Sequence, residues 1–589
     1  MQTRTKRPEA MHKERVTRTL FPVLLMTLIL IIFAGAVYAD TLRRFDPTGR
    51  SGEPPRDLLK EELPPPPAPL TIPSPKPAEK EPAKQPIKSF SVKKIVVMGS
   101  TVFSDQEIAA ITSPYENRDI TMEDLETLRK ALTILYINKG YVNSGALIPD
   151  QTVTEGTVTY QIIEGKLTQI DVEGTKWFSK TYLKDRIALG AGTPVNIGPL
   201  QNRLQLLQQD PRIERLHAEM KPGIRPGESE LNVMVEEKPP ISASFAFNNY
   251  QSTSVGAKRG LMTLEHQNLT GHADTLSLTY GRSEGLNPMI DAWYQVPFTV
   301  YDTSLFIRYR RNDFDVVDPT FKPLDIVNNS VSYEATLRQS VYRSLSQELA
   351  LLLSLEHERD KTYMLGEPFS FYPGVENGLS VVHPLRFSQE WTYRTQRQVF
   401  AVHSRFSFGL DAAHATINSD DLPDGRFKSW LGQFQWARIL DILDTQVLFR
   451  ADAQVSDDSL LPMEQVSIGG RYSVRGYPEN FLVRDQAFIT SLEARVPIVK
   501  NMAWADYIQV CPFTDYGTGN NRDLPTGDPK EISSAGLGLR WAASFIKNAT
   551  VLKAESEVYW GHRFKHVDLP HDDLQDSGIH YQVAVTGMF

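Results

Sequence analysis

A serine and a cysteine are the first candidates for catalytic chemistry in this chain. Gly281-Arg-Ser-Glu-Gly285 matches the G-x-S-x-G pattern that surrounds a nucleophilic serine. The catalytic pattern needs a helix after it, but this segment follows a predicted strand over 275–280 and precedes no helix, so a hairpin turn is predicted. Cys511 is the single cysteine, which rules out an intrachain disulfide. No histidine-based activation motif accompanies it, so it is interpreted as a passive wall residue.

Histidines and carboxylates near the C-terminus are candidates for metal binding. His566 and His571 lie close to three carboxylates, namely Asp568, Asp572 and Asp573. An exposed polar loop is the favoured alternative, because the sequence has no H-E-x-x-H motif. It also lacks a phosphate-binding Gly-rich loop. The residues therefore predict neither an enzyme nor a cofactor or metal site.

Two motifs in the last third of the chain combine charged, aromatic and glycine residues. The first lies within Ser467–Pro478 and the second starts about forty residues later; they are Val474-Arg475-Gly476-Tyr477 and Phe513-x-Asp515-x-Gly517. They resemble the two signatures of the superfamily of outer-membrane assembly and two-partner secretion transporters. An ordinary surface loop is the alternative. The order of the two motifs, in a strand-rich region, argues against that alternative.

This resemblance implies one specific contact. In the superfamily, the first motif lies at the tip of an extracellular loop that folds back into a β-barrel, and the second lies on a strand facing that loop. Arg475 is then expected to pair with Asp515 in the lumen, because a planar guanidinium can hold a carboxylate through two hydrogen bonds. Gly476 would permit a sharp turn, and Tyr477 would pack on the barrel wall.

The N-terminus has the features of an export signal. Six basic residues precede the apolar run Leu20–Ala36, and Val37-Tyr38-Ala39 is a suitable cleavage site. Residues 1–39 are therefore predicted to be a signal peptide, with an uncleaved inner-membrane anchor as the alternative. These residues carry six Lys/Arg and two Asp/Glu, so removing them changes the net charge from −8 to −12. An acidic mature protein is not expected to bind nucleic acid.

Residues 40–88 are predicted to be a tail and a linker. Twelve prolines fall between Pro54 and Pro86, and such a run favours an extended spacer over a packed core. Arg56–Leu63 could form two helical turns. Transporters of the resembled family carry an N-terminal helix that plugs the barrel, so this segment is a candidate plug helix. Disorder is the alternative.

Residues 89–238 contain an internal repeat. Ile95-Val-Val-Met-Gly99 recurs as Ile170-Asp-Val-Glu-Gly174, an offset of 174 − 99 = 75 residues. Each copy is predicted to run strand, helix, helix, strand, strand, with a helix capped by Thr121 in the first copy and a helix starting at Pro199 in the second. The two copies, 89–166 and 167–238, resemble POTRA domains. A generic pair of small α+β domains is the alternative.

From residue 239 to residue 589, apolar and polar residues alternate over segments of about ten residues. Leu278 and Leu492, for example, alternate with Ser277 and Glu493. This two-residue period predicts one lipid-facing and one wet face, and only a closed barrel satisfies every strand amide in lipid. The fold class is therefore an all-β transmembrane barrel of about sixteen antiparallel strands, preceded by two small α+β POTRA domains. Tyr581 and the terminal Phe589 resemble the C-terminal signal of outer-membrane proteins.

Taken together, residues 89–589 resemble the transporter component of two-partner secretion. The resemblance implies an outer-membrane protein of a Gram-negative bacterium with POTRA domains in the periplasm. Its partner would be a large, unfolded TpsA-type exoprotein with an N-terminal secretion domain, received in part by β-augmentation and exported without nucleotide hydrolysis. Outer-membrane lipid is the other expected partner, and a monomer is expected. Two alternatives stay open: an assembly factor of the same superfamily that inserts other outer-membrane proteins, and a porin-like channel or surface adhesin.

Overall fold

The computed structural model describes residues 89–589, except for 420, 421, 548, 549, 568 and 570–572. The predicted signal peptide (1–39) and the tail with its candidate plug helix (40–88) lie outside the described residues. So do three members of the candidate metal group, which are Asp568, His571 and Asp572. Within the described residues, every helix is too short or too polar to cross a membrane.

The first α+β unit packs two helices on a small mixed sheet. Its elements are β1 (Phe90–Val92), β2 (Lys94–Met98), α1 (Asp105–Thr112), β3 (Arg118–Ile120), α2 (Met122–Asn138), β4 (Gly145–Leu147) and β5 (Thr157–Ile163). The sheet order is β2-β5-β4, and β1 pairs separately with β3. Helix α2 begins where the Thr121 side chain accepts from the Asp124 N–H, in a reciprocal capping box. Its Leu125, Leu128 and Leu132 face the core of the unit.

The second unit repeats this order. Its elements are β6 (Lys166–Glu173), α3 (Lys180–Ala188), α4 (Ile197–Gln208), β7 (Ile213–Pro222) and β8 (Glu228–Glu237), with the sheet order β6-β8-β7. Helix α4 begins two residues before the predicted start at Pro199. The reason is Asn196, whose side chain accepts from the Gly198 N–H and caps the helix there.

The repeated glycine has the same structural role in both units. Gly99 and Gly174 end β2 and β6 with φ of +84° and +81°. A Cβ atom at Gly99 would lie 2.8 Å from the carbonyl oxygen of Ile162, and one at Gly174 would lie 2.4 Å from that of Val235. Both positions therefore require glycine, because the backbone is left-handed and a neighbouring strand approaches closely. This requirement accounts for the recurrence of glycine at the end of the first long strand of each unit.

The remaining chain forms a closed antiparallel barrel. Its twenty strands in the described residues are β9 (Ile241–Asn248), β10 (Arg259–Gln267), β11 (Thr275–Arg282), β12 (Leu286–Pro297), β13 (Ser304–Asp315), β14 (Val327–Arg343), β15 (Gln347–Met364), β16 (Glu367–Pro368), β17 (Leu379–Val382), β18 (Pro384–Arg394), β19 (Gln398–Gly409), β20 (Lys428–Ile439), β21 (Gln446–Ser456), β22 (Val466–Ile468), β23 (Leu482–Arg484), β24 (Gln486–Met502), β25 (Ala505–Asn520), β26 (Glu531–Lys547), β27 (Thr550–Arg563) and β28 (Ile579–Met588). Sixteen of these are full wall strands, which confirms the predicted fold class. The four short strands are β16 and β17, beside β15, and the β22–β23 pair.

The last wall strand closes the barrel against the first. The Phe589 N–H donates to the Ile241 carbonyl at 2.9 Å, and the Asn249 N–H donates to the Tyr581 carbonyl at 3.2 Å. Closure leaves no free sheet edge in the wall, which is the condition for strands in a lipid bilayer. Both ends of the barrel segment lie on the side of the α+β units, which is the side that the outer-membrane prediction makes periplasmic.

The two faces of the wall differ in polarity. Leu278 is 47% exposed on the outer face, whereas the adjacent Ser277 is 2% exposed toward the interior. The same alternation places Leu492 outside and Glu493 inside. Outward aromatic rings gather toward the periplasmic end of neighbouring strands, where the Phe400 and Trp436 ring centroids lie 6.2 Å apart. Such rings mark the membrane interface of a barrel.

Candidate functional site

The connection between β21 and β24 enters the barrel and occupies its interior. We call residues 457–485 the lumen loop. Its strands β22 and β23 pair as a short hairpin, with Val466 opposite Arg484 and Ile468 opposite Leu482. Several of its apolar side chains pack with wall residues in a small core inside the lumen; the buried members are Val466, Ile468, Val474, Tyr477, Leu482, Ile489 and Ile532. The Val474–Tyr477 motif lies in the tip of this hairpin.

Arg475 is held by two wall strands. Its Nε and Nη2 donate to Asp515 Oδ2 and Oδ1, each at 2.8 Å, and its backbone N–H donates to Asp515 Oδ2 at 2.9 Å. Its Nη2 also donates to Ser491 Oγ at 3.0 Å, and its Nη1 donates to Glu493. The side chain is 1% exposed. A guanidinium can make these bonds in one plane, whereas an ammonium cannot.

The spacing of the second motif places all three of its residues on the inner face of β25, because alternate residues of a strand share a face. The ring of Phe513 lies under Arg475, with the guanidinium carbon 3.7 Å from the ring centroid. Asp515 accepts the bidentate pair. Gly517 leaves space for the loop, since a Cβ there would lie 2.5 Å from Ile468 Cγ2 and 2.8 Å from Val474 Cγ2. Phe513 thus provides a ring for a cation–π contact, Asp515 provides the opposite charge, and Gly517 leaves room for the loop.

The remaining residues of the first motif seat the loop tip against other strands. Gly476 has φ of +93°, and a Cβ there would lie 2.8 Å from the carbonyl oxygen of Gly561 on β27. Tyr477 is fully buried. Its hydroxyl lies 3.3 Å from the carbonyl oxygens of Ser533 and Lys565. The tip therefore contacts β24 to β27.

Further ion pairs at the tip were not identified from the motifs. Glu493 accepts a hydrogen bond from Nε of Arg495 at 2.6 Å, and it also accepts one from Nη1 of Arg475. Arg471, four residues before Arg475, forms a bidentate pair with Glu557 on β27, with both contacts at 2.9 Å. Glu493 does occur in the alternating pattern as an inward polar residue, so that pattern held a usable signal. The partners of Arg471 are set by tertiary contacts between distant segments.

The base of the lumen loop has a separate anchor. Glu464 accepts from Nη2 and Nη1 of Arg386 on β18, at 2.9 and 3.0 Å. Glu356 on β15 lies 3.0 Å from the same guanidinium. Arg386 and Glu464 are 2% and 3% exposed. In the order of the wall, β18 is seven strands from β27, so the loop is tied to nearly opposite sides of the barrel.

The other residues singled out in the sequence lie in a hairpin turn, in the buried wall and on the outer face of the barrel. Ser283 lies in the β11–β12 hairpin turn, where its hydroxyl donates to the Val255 carbonyl at 2.7 Å. Cys511 is buried in the wall with Phe513 and Tyr559. Tyr581 packs against Phe247 on the outer face, with ring centroids 6.2 Å apart.

The C-terminal Phe589 pairs with β9 through its backbone, while its side chain stays 56% exposed. The ring therefore takes no part in the lumen site. In the described residues, no group of three His, Cys, Asp or Glu side chains is arranged to hold a metal ion.

Comparisons with known proteins agree with this architecture. Residues 227–541 match the family described as haemolysin secretion/activation protein ShlB/FhaC/HecB, and residues 90–165 match the ShlB-type POTRA domain. The chain is 26% identical over 445 residues to the outer membrane transporter CdiB of Escherichia coli, covering 72% of this chain and 71% of that protein. It is 21% identical over 498 residues to the heme/hemopexin transporter protein HuxB of Haemophilus influenzae, covering 80% and 84%.

Solved structures show the same fold. CdiB from Escherichia coli matches with a TM-score of 0.61 at 21% identity, over 87% of this chain and 92% of that chain. CdiB from Acinetobacter baumannii matches with a TM-score of 0.56 at 16% identity, over 99% of each. The predicted resemblance and outer-membrane location are confirmed, and transport is a non-enzymatic function. Because the family match spans more than half of the sequence, this chain belongs to the haemolysin secretion/activation protein family, ShlB/FhaC/HecB.

Proposed function

We propose that this outer-membrane transporter receives an extended segment of a TpsA-type exoprotein on β7, passes it into the barrel at the periplasmic mouth, and exports it through the lumen once the loop moves. The observation that carries the proposal is the position of β7. It is an edge strand of the second α+β unit, and it begins beside the barrel entrance. An exposed edge offers backbone hydrogen bonds to any extended chain and so requires little side-chain specificity.

The open edge of β7 is identified by a local side-chain contact. Gln208 donates to the Glu214 carbonyl at 3.3 Å and accepts from the Leu216 N–H at 2.6 Å. These backbone groups therefore point away from β8. Backbone groups alternate along a strand, so those of Ala218 and Met220 also point to the open edge. Gln208 covers the first part of that edge, and the later part is available for pairing.

The start of β7 lies at the entrance to the barrel. A cavity of about 580 Å³ lies between the second unit and the barrel strands. Arg212, directly before β7, lines this cavity. From the barrel side, Gln295 and Thr392 line the same cavity. Its walls carry both acids and bases, exemplified by Glu348 and Arg338, so an extended polypeptide would meet polar groups along its path. Export of a chain then requires displacement of the lumen loop.

The periplasmic unit is fixed to this entrance by polar contacts. Arg186 of α3 donates to Asp302 at 3.1 Å and to the Thr299 carbonyl at 2.7 Å. The Ser179 N–H donates to the Gly271 carbonyl at 2.9 Å. These contacts hold the second unit against two periplasmic turns. The unit can therefore direct a bound segment to the mouth without closing it.

The remaining parts of the proposal concern the described unit boundaries and the N-terminal segment. We assign 89–166 and 167–238 to the two periplasmic POTRA domains and 239–589 to the barrel. Residues 1–39 would be removed as a signal peptide, and residues 40–88 would form a tail with the candidate plug helix and a Pro-rich linker to the first unit. The closed wall supports action as a monomer, because no strand edge is left for a second copy.

The experiment replaces Met220 with proline in the full-length transporter, co-produced with its exoprotein. Proline removes the edge-facing N–H of Met220 without removing a hydrogen bond to β8. Met220→Ala keeps the N–H and is the matched control. Secreted exoprotein should fall strongly in the proline variant and stay near normal in the alanine variant, while both barrels insert. Normal secretion by Met220→Pro would contradict pairing on β7. Equal losses in both variants would also contradict it.

A further inference from the structure

The outer face of the barrel carries a compact group of cations near its external rim. We call Arg311, Arg359 and Lys361 the basic patch. Arg311 on β13 pairs across to Val331 on β14, which pairs with Arg359 on β15. The two arginines are thus at one height, two strands or roughly 10 Å apart. Lys361 lies two residues farther along β15, on the same face.

The basic patch lies directly above the apolar band of the wall. On β15, alternate outward residues are leucines up to Leu355, which is 52% exposed. The next outward position is His357, whose ring lies 6.0 Å from that of Tyr333, which in turn lies 5.3 Å from that of Tyr309. An aromatic row of this kind marks the interface between hydrocarbon and headgroups. The patch is one step beyond it, at the height of the headgroups of the outer leaflet.

Two of the three cations have no carboxylate partner. Arg311 donates to Asp313 at 2.6 and 2.9 Å, so its charge is largely compensated. Among the residues that the structure describes, Arg359 and Lys361 form no ion pair. The ammonium of Lys361 lies 5.4 Å from the ring centroid of Tyr363. Asp315, at the external end of β13, is the next outward carboxylate. The patch therefore presents a net positive charge to the lipid.

The opposite part of the rim has a different character. Outward rim positions of β24–β28 in the described chain include Phe488, Thr518, Glu531 and Ile579. Glu531 there accepts from the Tyr516 hydroxyl at 3.0 Å. Among the described residues, Arg282 on β11 and Lys428 on β20 are further outward cations at the external rim that form no ion pair, and each stands singly on its strand. Strands β13–β15 instead bring three cations together at headgroup height, an arrangement that suits one multiply charged anionic group.

We propose that the basic patch binds the phosphate groups of lipid A, the bis-phosphorylated glycolipid of the outer leaflet. Cations at headgroup height gain from nearby anionic lipid, and arginine matches the geometry of phosphate oxygens. The aromatic row below would contact the acyl chains and sugar of the same molecule. Binding would hold a lipid A molecule against the β13–β15 side of the barrel, and it would not depend on an exported protein.

The test compares the full-length protein in detergent with Arg359→Glu/Lys361→Glu. Native mass spectrometry counts bound lipid A, and heat-modifiable gel mobility verifies that each barrel is closed. We expect the double variant to lose roughly tenfold or more of its lipid A affinity, because each cation near an anionic surface contributes to binding. The matched control is Arg438→Glu, an exposed outward cation at the periplasmic rim of β20, which should bind lipid A as the native chain does.

Two further arms identify the ligand. Lipid A lacking both phosphates should bind poorly to the native protein, and millimolar inorganic phosphate should not replace lipid A, since the acyl chains contribute contacts. If the glutamate variant does not insert, Arg359→Ala/Lys361→Ala serves in its place. Undiminished binding by the charge variant, or an equal loss in Arg438→Glu, would overturn the proposal. Equal binding of the dephosphorylated lipid, or full competition by phosphate alone, would overturn it as well.

Discussion

Glu464 at the base of the lumen loop forms a bidentate ion pair with Arg386 on β18, with contacts of 2.9 and 3.0 Å. Only seven residues later in the chain, Arg471 pairs with Glu557 on β27, seven strands away around the wall. The loop therefore spans the lumen between two anchors. Any polypeptide that passes through the barrel has to displace at least one of them.

Replacing Glu464 with glutamine should loosen the base of the loop. The change removes the charge but keeps the size, and Arg386 retains Glu356 at 3.0 Å, so the wall itself should remain intact. Losing one partner of a buried pair commonly costs about 3–5 kcal/mol. We expect larger and more frequent conductance steps in planar lipid bilayers, because the loop would leave the lumen more often.

Glu367→Gln is the matched control for that experiment, since Glu367 is exposed on an external strand. It should leave conductance unchanged. Identical single-channel records for Glu464→Gln and the native protein would show that the β18 anchor does not hold the loop.

Gly517→Ala should displace the loop tip without changing any charge. The added methyl would lie 2.5 Å from Ile468 Cγ2 and 2.8 Å from Val474 Cγ2, which is too close for carbon atoms. We expect faster cleavage of the lumen loop by external protease in intact cells, together with weaker secretion. Gly527→Ala is the control, because nothing lies within 4 Å of its Cβ position. Native protease resistance in Gly517→Ala would argue that this glycine does not make room for the loop.

Arg186→Ala should loosen the second periplasmic unit from the barrel. Arg186 connects α3 to Asp302 and Thr299, and its guanidinium carbon lies 3.6 Å from the ring centroid of Tyr182. Hydrogen–deuterium exchange of the β12–β13 turn should therefore become faster. Lys184→Ala on the same helix removes only a half-exposed pair at 3.6 Å and should have little effect. An unchanged exchange rate in Arg186→Ala would show that Arg186 does not hold the second unit against the barrel.

Adjacent cysteines on β12 test the two faces of the wall. Gln295 lines the cavity at the barrel mouth, and Val296 is on the lipid side. In a Cys511→Ala background, a water-soluble maleimide should label Gln295→Cys readily and Val296→Cys slowly. Because Cys511 is the single native cysteine, all labelling in this background comes from the introduced residue. Comparable labelling of both positions would contradict the assigned faces.

Sequence periodicity was sufficient for the wall because lipid and water impose opposite demands on alternate residues. Ser277 and Leu278 show this directly. The repeat glycines Gly99 and Gly174 were likewise visible, since no other residue fits their backbone. The anchor of Glu464 on Arg386 was not visible, because 78 residues and several strands separate the two.

The motif residues form an intermediate case. The resemblance named Arg475 and Asp515, whereas the roles of Glu493 and Ser491 emerge only when β24 and β25 lie side by side. Similarly, Pro199 lies in the first turn of α4 as predicted, but the helix begins two residues earlier. The Gly198 N–H donates to the Asn196 side chain and sets that boundary, and the positions of the apolar residues do not reveal this bond.

The central claim is that the Arg475–Asp515 pair controls export by holding the loop in the lumen. Its most direct measurement is exoprotein in the medium for Arg475→Ala, Asp515→Ala and the double variant, with Arg475→Lys alongside. Arg475→Ala leaves Asp515 buried without its partner, whereas Asp515→Ala leaves the guanidinium with Glu493 as its remaining carboxylate. Losing one partner of a buried pair commonly costs about 3–5 kcal/mol, and lysine cannot replace the three-sided contact with Asp515, Ser491 and Glu493.

The exposed pair of Arg397 and Asp441 in the periplasmic turns is the matched control, and its alanine variants should secrete normally. For the lumen pair, each single change should reduce secretion strongly while the barrel inserts, and the double variant should be no worse than either single. Arg475→Lys should remain defective. If the effects of the two single changes simply add, or if lysine restores export, the two residues do not act as the pair that controls the loop.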